Sequence, residues 1–499
     1  MFILEKLAQY AETGRTAIIY NGVRTSYAEL NRQSDAFAAW LRETLPDSSA
    51  PVLIYGHKDS AIPACMLGSL KAGRGYIPVD TTFPPERAAQ IAAEAQPELI
   101  VDLCASGLRV AHVLTSDTLR EVLARTAAPA PREGWLRPDQ TAYILFTSGS
   151  TGKPKGVQIT AGNLAAFHEG VRPWFDGMKD GGAFLNEISY SFDVSVCALY
   201  EALSRGMTLW TADKQTLSDP KVLFALLREA QIDEWVSTPS LAEICVQSEQ
   251  FTHELMPDIR QFLFCGEVLT KKLTEEIFRR FPNVPVVNAY GPTEATVLVT
   301  GTEITKDMLA DEAPLPIGMP FENVTAVIAD ETGAPVPEGR EGELLLIGNA
   351  VSIGYLNRPE LNAKAFFTAP DGRRGYHTGD LCRMRDGCVY YLGRLDGQVK
   401  LNGFRVELED VENNLVKVPN IARAAVLPVM QDGKVTALTA FILLEKPDSE
   451  SSLARARRIK AALGELLPAY MIPRKILAVD AFPLNTNGKI DKKQLSARL

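Results

Sequence analysis

The sequence runs to 499 residues, 46% of them hydrophobic and 23% charged, a balance that suits a globular protein with two or more cores. A formal net charge of −9 excludes a general nucleic-acid binder, and no apolar run reaches membrane-spanning length. Seven cysteines, at 65, 104, 197, 245, 265, 382 and 388, stand singly with no C-x-x-C, which points to reduced thiols and not to a disulfide frame or zinc site.

The N-terminal run Met1 to Leu7 has no basic flank and no long apolar stretch, so no secretory signal is expected and the location read from the sequence is cytoplasmic. Ser26-x-x-Glu29 is a capping box that opens a helix carrying Leu30, Phe37, Trp40 and Leu41 at helical spacing. A strand is expected at Pro51 to Tyr55, a helix over Ala61 to Lys71, a strand at Gly75 to Val79, a helix from Pro84-Pro85 and a strand at Glu98 to Val101. Strands alternating with helices predict an α/β fold with largely parallel sheets covered on both faces.

Residues 143 to 160 form the most distinctive stretch: Tyr143 to Phe146 reads as a strand, Val157 to Thr160 as another, and a ten-residue loop joins them. Gly149, Gly152 and Gly156 let the backbone turn its N–H groups toward a polyanion. Thr147, Ser148, Ser150 and Thr151 add hydroxyls, and Lys153 and Lys155 add charge. The spacing is not that of a Walker P-loop, because Pro154 follows Lys153 and the loop leaves into a strand. On these residues alone a glycine-serine hairpin without a ligand stays open.

Further along, helices are expected near 161–175, 195–204 and 220–230, with strands at Thr208 to Trp210, Glu234 to Ser237, Gln261 to Phe264 and Val284 to Asn288. From about 315 glycines and β-branched residues dominate, which predicts an antiparallel β subdomain. The last hundred residues read as a smaller α+β unit, with strands at Gln398 to Leu401, 422–428, 435–444 and Lys475 to Val479 and helices at Leu408 to Val416 and Leu453 to Leu466. A polar, glycine-flanked hinge at Gly393 to Gly397 separates a domain of residues 1–395 from one of 396–499.

The loop at 147–156 resembles the phosphate-binding signature of the adenylate-forming superfamily. Other motifs of that family are matched by Lys71-Ala-Gly-Arg-Gly-Tyr-Ile-Pro-Val-Asp80, Asn288-Ala-Tyr-Gly-Pro-Thr-Glu294, Tyr376-His-Thr-Gly-Asp380, Gly393-Arg-Leu-Asp-Gly-Gln-Val-Lys400 and Asn487-Gly-Lys489, in the family's order and across nearly the whole chain. The resemblance implies an ATP- and Mg2+-dependent ligase. Thr147, Ser148, Gly149, Thr151 and Lys155 would hold phosphates, and Asn288, Ala289, Tyr290, Gly291, Pro292 and Thr293 would surround adenine. Asp380 and Arg394 would meet the ribose or phosphates, Glu294 would ligate Mg2+, Asp396 would be the hinge, and Lys489 would be the catalytic cation. The residue types suit these roles. A carboxylate accepts two ribose hydroxyls, Mg2+ takes hard oxygen ligands, and an ammonium stabilises charge spreading over a phosphoryl group. Each also has an ordinary structural use, as a core tyrosine, a turn aspartate or a solvated basic tail.

Ser189-Tyr-Ser-Phe-Asp193-Val-Ser-Val resembles the amino-acid-activating branch, whose aspartate there binds the substrate ammonium; a helix N-cap is its plain structural alternative. Leu263 to Gly266 and Ala295 to Val297 would then wall the side-chain pocket, with Cys265 and Val297 leaving room for a small group. With Phe264-Cys-Gly-Glu-Val268, Thr293-Glu-Ala-Thr-Val297 and Pro468-Ala-Tyr-Met-Ile-Pro473, the match narrows to the D-alanine–D-alanyl carrier protein ligases; a stand-alone peptide-synthetase adenylation enzyme for another small amino acid is the alternative, sharing every motif except the pocket details. That family makes D-alanyl-AMP at a site that would use Asp193, Cys265, Val297 and Lys489, then loads a phosphopantetheine carrier for teichoic acid D-alanylation. The chain shows no Gly-Gly-x-Ser attachment site, so the carrier is expected to be a separate protein, with no nucleic-acid partner and no membrane insertion.

Overall fold

The computed structural model describes residues 1–148, 154–401, 403–431, 433–483, 490 and 492–496. Contacts divide them into two compact units: Met1–Thr81 with Ala95–Leu145 and Gly156–Gly393, and Thr82–Glu94 with Phe146–Lys155 and Arg394–Leu499.

A nine-stranded sheet dominates the first unit. Its central strands, Ala183–Asn186, Glu234–Ser237, Gln261–Phe264 and Val286–Tyr290, pair in parallel, and each of the first three is buried along its whole length. Runs apolar on both faces are what a parallel sheet covered by helices requires. The helices between them start where their caps say. Asp219 accepts from the Lys221 N–H with Pro220 in the first turn, and Thr270 accepts from the Leu273 N–H. Two strands of the seven-stranded sheet, Val52–Tyr55 and Tyr76–Val79, are also parallel neighbours and end beside one another in loops.

One strand is displaced from its expected place. It runs Val286–Tyr290, not from Val284 to Asn288, because Pro285 has no N–H to give the ladder. At its far end it has an antiparallel neighbour, Thr300–Glu303, that pairs with Asn288, Ala289 and Tyr290. The strand leaving the glycine-serine loop, by contrast, starts earlier than expected, at Lys155. The stretch expected to be helical near 195–204 contains a π-helical turn, Cys197–Ala202, a local widening found mostly at functional sites.

Beyond it, Val324–Ala329, Glu341–Gly348 and Arg374–Arg385 form the antiparallel β subdomain. The second unit holds the hairpin Gln398–Leu401 and Phe404–Glu407 and a three-stranded sheet of Ile421–Gln431, Lys434–Leu444 and Lys475–Ala478. The helices Leu408–Leu415 and Ser452–Gly464 bring Val411, Leu415, Ile459 and Leu463 into that unit's own apolar core. No helix among the described residues is long and apolar enough to cross a membrane.

Candidate active site

In the first unit, the strand Val286–Tyr290 delivers a turn that gathers most of the residues singled out from the sequence. Tyr290 is buried at the strand end, and its phenol donates to Asp380 Oδ2. Asp380 is itself buried, on Arg374–Arg385, at an irregularity where the register with Glu341–Gly348 shifts between Glu343 and Leu345. Such a bulge re-aims side chains. Gly379, at φ 68°, takes the turn, and its N–H is tied to Glu343 Oε1 at 2.9 Å.

Asn288 donates from Nδ2 to the Pro316 carbonyl at 2.8 Å, while its buried Oδ1 has no hydrogen-bond partner among the described residues. Burying an acceptor unpaired is unfavourable, so this oxygen fits a ligand that carries a donor, as the exocyclic amine of adenine does. In the second unit, Thr147 Oγ1, at the entrance to the glycine-serine loop, is also buried with no hydrogen-bond partner among the described residues, and it fits a phosphate oxygen in the same way. Gly149 and Thr151 lie outside the described residues.

The turn after Tyr290 is tightly wound. A Cβ on Gly291 would meet the Val297 carbonyl oxygen at 2.3 Å, so only glycine fits. Thr296 and Val297 both have positive φ, 58° and 72°, which β-branched residues rarely adopt. The Leu298 N–H closes back on the Thr296 carbonyl at 2.9 Å, making Val297 the centre of a strained γ-turn. The loop 349–355 holds this conformation from behind. Thr296 Oγ1 donates to the Ala350 carbonyl at 2.6 Å, the Ser352 N–H to the Glu294 carbonyl at 2.8 Å, and the Tyr355 phenol to Glu294 Oε1 at 2.7 Å. Asn163, which closes the capping box of Ala161–Phe175 with Thr160, donates to the carbonyls of Asn349 and Val351.

Glu294 is fully buried and offers hard oxygen. Among the described residues no three His, Cys, Asp or Glu side chains gather as a metal cage. One carboxylate completed by phosphate oxygens is a pattern Mg2+ takes, so Glu294 fits that ion.

Asp193 is 6% exposed, and its Oδ2 accepts the Thr293 hydroxyl at 2.6 Å. That bond ties the expected amine-binding residue to the turn expected to surround the nucleotide. Cys265 and Val297 are buried in the same apolar cluster as Leu263 and Ala289. The Cys265 N–H donates to the Ser237 carbonyl, and Gly266, at φ 83°, bends the chain just past it. Burial pushes the Cys197 thiol of the π turn well above its ordinary range, with Cys265 adding to the shift, so Cys197 packs as a neutral thiol.

The remaining residues fall in the second unit. Arg394 donates from Nε to Asp396 Oδ1 at 2.9 Å and from Nη2 to Gln398 Oε1 at 2.8 Å. Burial would raise the Asp396 carboxyl, but the bonds and charge of Arg394 win and hold it below its ordinary value. Ser148 Oγ donates to the Arg405 carbonyl at 2.8 Å and accepts from the Glu407 N–H at 3.1 Å. Lys155 Nζ lies 3.4 Å from Glu407 Oε1, and burial is the main reason that carboxyl is raised. Lys155, expected at phosphate, is therefore paired with a carboxylate here. Lys489 lies outside the described residues.

Sequence reasoning missed Tyr355, the loop 349–355 and the buried pair Lys58 and Asp80. The motif ending at Asp80 marked that residue only as part of a structural run, and nothing in the sequence singled out Tyr355 or Lys58.

Comparison with known proteins agrees with this geometry. A family described as AMP-binding enzyme matches residues 4–356, and one described as AMP-binding enzyme C-terminal domain matches residues 410–489, which sets the class. Among solved structures, the Vibrio cholerae adenylation domain AlmE in complex with glycyl-adenosine-5'-phosphate is 25% identical with a TM-score of 0.84, over 100% of this chain and 97% of that one. The adenylation and PCP protein PA1221, as holo protein with a vinylsulfonamide inhibitor, is 26% identical with a TM-score of 0.83, over 100% of this chain and 84% of that one. A D-alanine--D-alanyl carrier protein ligase of Listeria monocytogenes serotype 4b (strain CLIP80459) is 42% identical over 100% of this chain and 99% of its own length. One of Bacillus cereus (strain G9842) is 38% identical over 99% of each. The chain belongs to the AMP-binding enzymes and, among them, to the D-alanine--D-alanyl carrier protein ligase family.

Proposed function

We propose that the chain activates D-alanine with ATP to D-alanyl-AMP and pyrophosphate, then transfers the alanyl group to the phosphopantetheine thiol of a separate carrier protein. The observation that carries this reading is Asp193, buried and fastened by Thr293 to the Tyr290 turn. A buried carboxylate at that place is stabilised by an ammonium, which an amino acid brings and a fatty acid does not.

In the first half-reaction a D-alanine carboxylate oxygen attacks the α-phosphorus, and the bond to the pyrophosphate oxygen breaks. Asp193 orients the amine, while Cys265 and Val297 bound a space for a methyl group. Asn288, Ala289, Tyr290, Gly291, Pro292 and Thr293 surround the adenine, with the unpaired Asn288 oxygen as acceptor. Asp380 and Arg394 take the ribose. Thr147, Ser148, Gly149, Thr151 and Lys155 hold the phosphates, and Lys489 stabilises the charge that develops on the phosphoryl oxygens. Glu294 would hold Mg2+, which supplies positive charge to the phosphates.

In the second half-reaction the carrier thiolate attacks the mixed anhydride carbonyl, forming the thioester and releasing AMP. Residues 1–395 and 396–499 act as two domains with Asp396 as the pivot between half-reactions. The product serves teichoic acid D-alanylation, and the enzyme works in the cytoplasm where ATP is available. ATP–pyrophosphate exchange with D-alanine, L-alanine, glycine, serine and acetate tests the reading. D-Alanine supports the fastest exchange; faster exchange with acetate overturns it, and faster exchange with another amino acid moves the enzyme to that substrate.

A further inference from the structure

We propose that Lys58 and Asp80 are positioning residues that clamp the segment Asn186–Asp193 and so set where the amine-binding carboxylate stands. The inference rests on the amine-binding role of Asp193 proposed above.

Asn186 ends a strand, and the chain from there to Asp193 runs through turns with no ladder to hold it. Two buried charged groups hold it instead, each just past the end of one of the parallel neighbours Val52–Tyr55 and Tyr76–Val79. Lys58 is 1% exposed and sits at φ 52°, an unusual backbone for lysine. Its Nζ donates to Asn186 Oδ1 at 2.8 Å and to the Ile188 carbonyl at 2.6 Å, and it lies 4.5 Å from the centre of the Tyr190 ring. Asn186 closes the same turn by donating from Nδ2 to the Tyr190 phenol at 3.0 Å.

Asp80, 3% exposed, holds the next residues. Its Oδ2 accepts the Ser189 hydroxyl at 2.7 Å and faces His57 Nδ1 at 2.7 Å. His57 Nε2 accepts the Lys214 N–H, which leaves the ring proton on Nδ1 to donate to Asp80. Ser189 Oγ in turn accepts from the Ser191 N–H at 3.3 Å, and the Ser189 carbonyl accepts from the Phe192 N–H at 3.0 Å. Hydrogen bonds thus run without a break from Asp80 to the residue before Asp193.

A buried ammonium that served stability alone could be replaced by packed apolar groups at little cost. Here the hydrogen-bond acceptors of Lys58 and the hydroxyl donor to Asp80 all fall within the seven residues ahead of Asp193. Burial lowers the Lys58 pKa, and the charge of Glu187, inside the same segment, opposes that shift. The segment therefore supplies the hydrogen-bond acceptors that Lys58 needs, and Lys58 fixes the segment in return.

The test is ATP–pyrophosphate exchange by the full-length chain, with D-alanine and ATP varied separately, for wild type, Lys58→Met and Ser189→Ala. The Ser189 variant loses one hydroxyl and guards against a Lys58 variant that does not fold. Both variants should raise KM for D-alanine, by about tenfold or more, and leave KM for ATP within about twofold, because displacing a binding group by a fraction of an ångström weakens only what it binds. Equal rises in both constants, or a Ser189→Ala protein with an unchanged KM for D-alanine, overturns the clamp while leaving the proposed reaction standing. A wild-type chain with no D-alanine-dependent exchange overturns both.

Discussion

The strands Glu234–Ser237 and Gln261–Phe264 and the loop that follows Tyr290 are built on opposite terms. Behind the strands, Phe251, Trp235, Phe262 and Phe281 form a cluster in which Phe251 stands 5.0 Å from Phe281 and 5.5 Å from Trp235, edge to face. None of these four residues has a positive φ, and the rings stabilise by filling space. The loop contains a γ-turn at Val297, a glycine that a methyl group would displace, and side chains held by hydrogen bonds from a distant loop. The contrast teaches that the first region supplies stability and the second uses some of it to fix geometry.

Three substitutions probe that contrast. Phe251→Ala, in the cluster, should cost about 3–5 kcal/mol of stability in denaturant unfolding, the range for a buried aromatic truncated to alanine, while KM values of the protein that remains folded stay near wild type. Loss of D-alanine binding without loss of stability would break the comparison. Thr296→Val keeps the shape but removes the hydroxyl bonded to Ala350. It should cost about 1–3 kcal/mol and lower kcat/KM for D-alanine exchange by about tenfold or more, a functional loss larger than any the Phe251 change produces. Unchanged kinetics would show that the turn does not need its support.

The smallest effect concerns Glu234, the buried carboxyl of Glu234–Ser237. Oε1 accepts from Gln261 Nε2 at 3.0 Å, but Oε2 is buried without a hydrogen-bond partner among the described residues, and burial raises the group well above the ordinary carboxylate range. A folded-state pKa above the unfolded one means that the folded chain holds the proton longer. Stability is therefore fullest below the unfolded carboxylate range and falls as pH rises toward the folded pKa, by about 1.4 kcal/mol per pH unit while the two states differ by one proton. Glu234→Gln should then melt with wild type at pH 4 and above it at pH 8. An equal melting temperature at both values contradicts the assignment.

Local chemistry made much of this fold legible from the sequence. Ser26-x-x-Glu29 and Pro84-Pro85 mark helix starts, and the fully buried strands Gln261–Phe264 and Glu234–Ser237 mark a covered parallel sheet. The motif residues Tyr290, Glu294 and Asp380 could be placed in one site because a resemblance carried them as a set. What stayed hidden depends on partners far apart in the chain. Lys58 meets residues 128 and 130 positions away, Lys155 meets Glu407 252 positions away, and Glu294 meets Tyr355 61 positions away. The positive φ of Thr296 and Val297 ran against local preference, since β-branched residues avoid it unless the surroundings impose it.

The most direct measurement is D-alanine-dependent exchange by Asp193→Ala, run beside calorimetric binding of AMP to the same protein. If Asp193 holds the substrate amine, exchange falls by about a hundredfold or more while AMP binds as it does to wild type, since removing a charge-assisted hydrogen bond from a buried site costs several kcal/mol. Exchange near the wild-type rate with AMP bound normally would contradict the account.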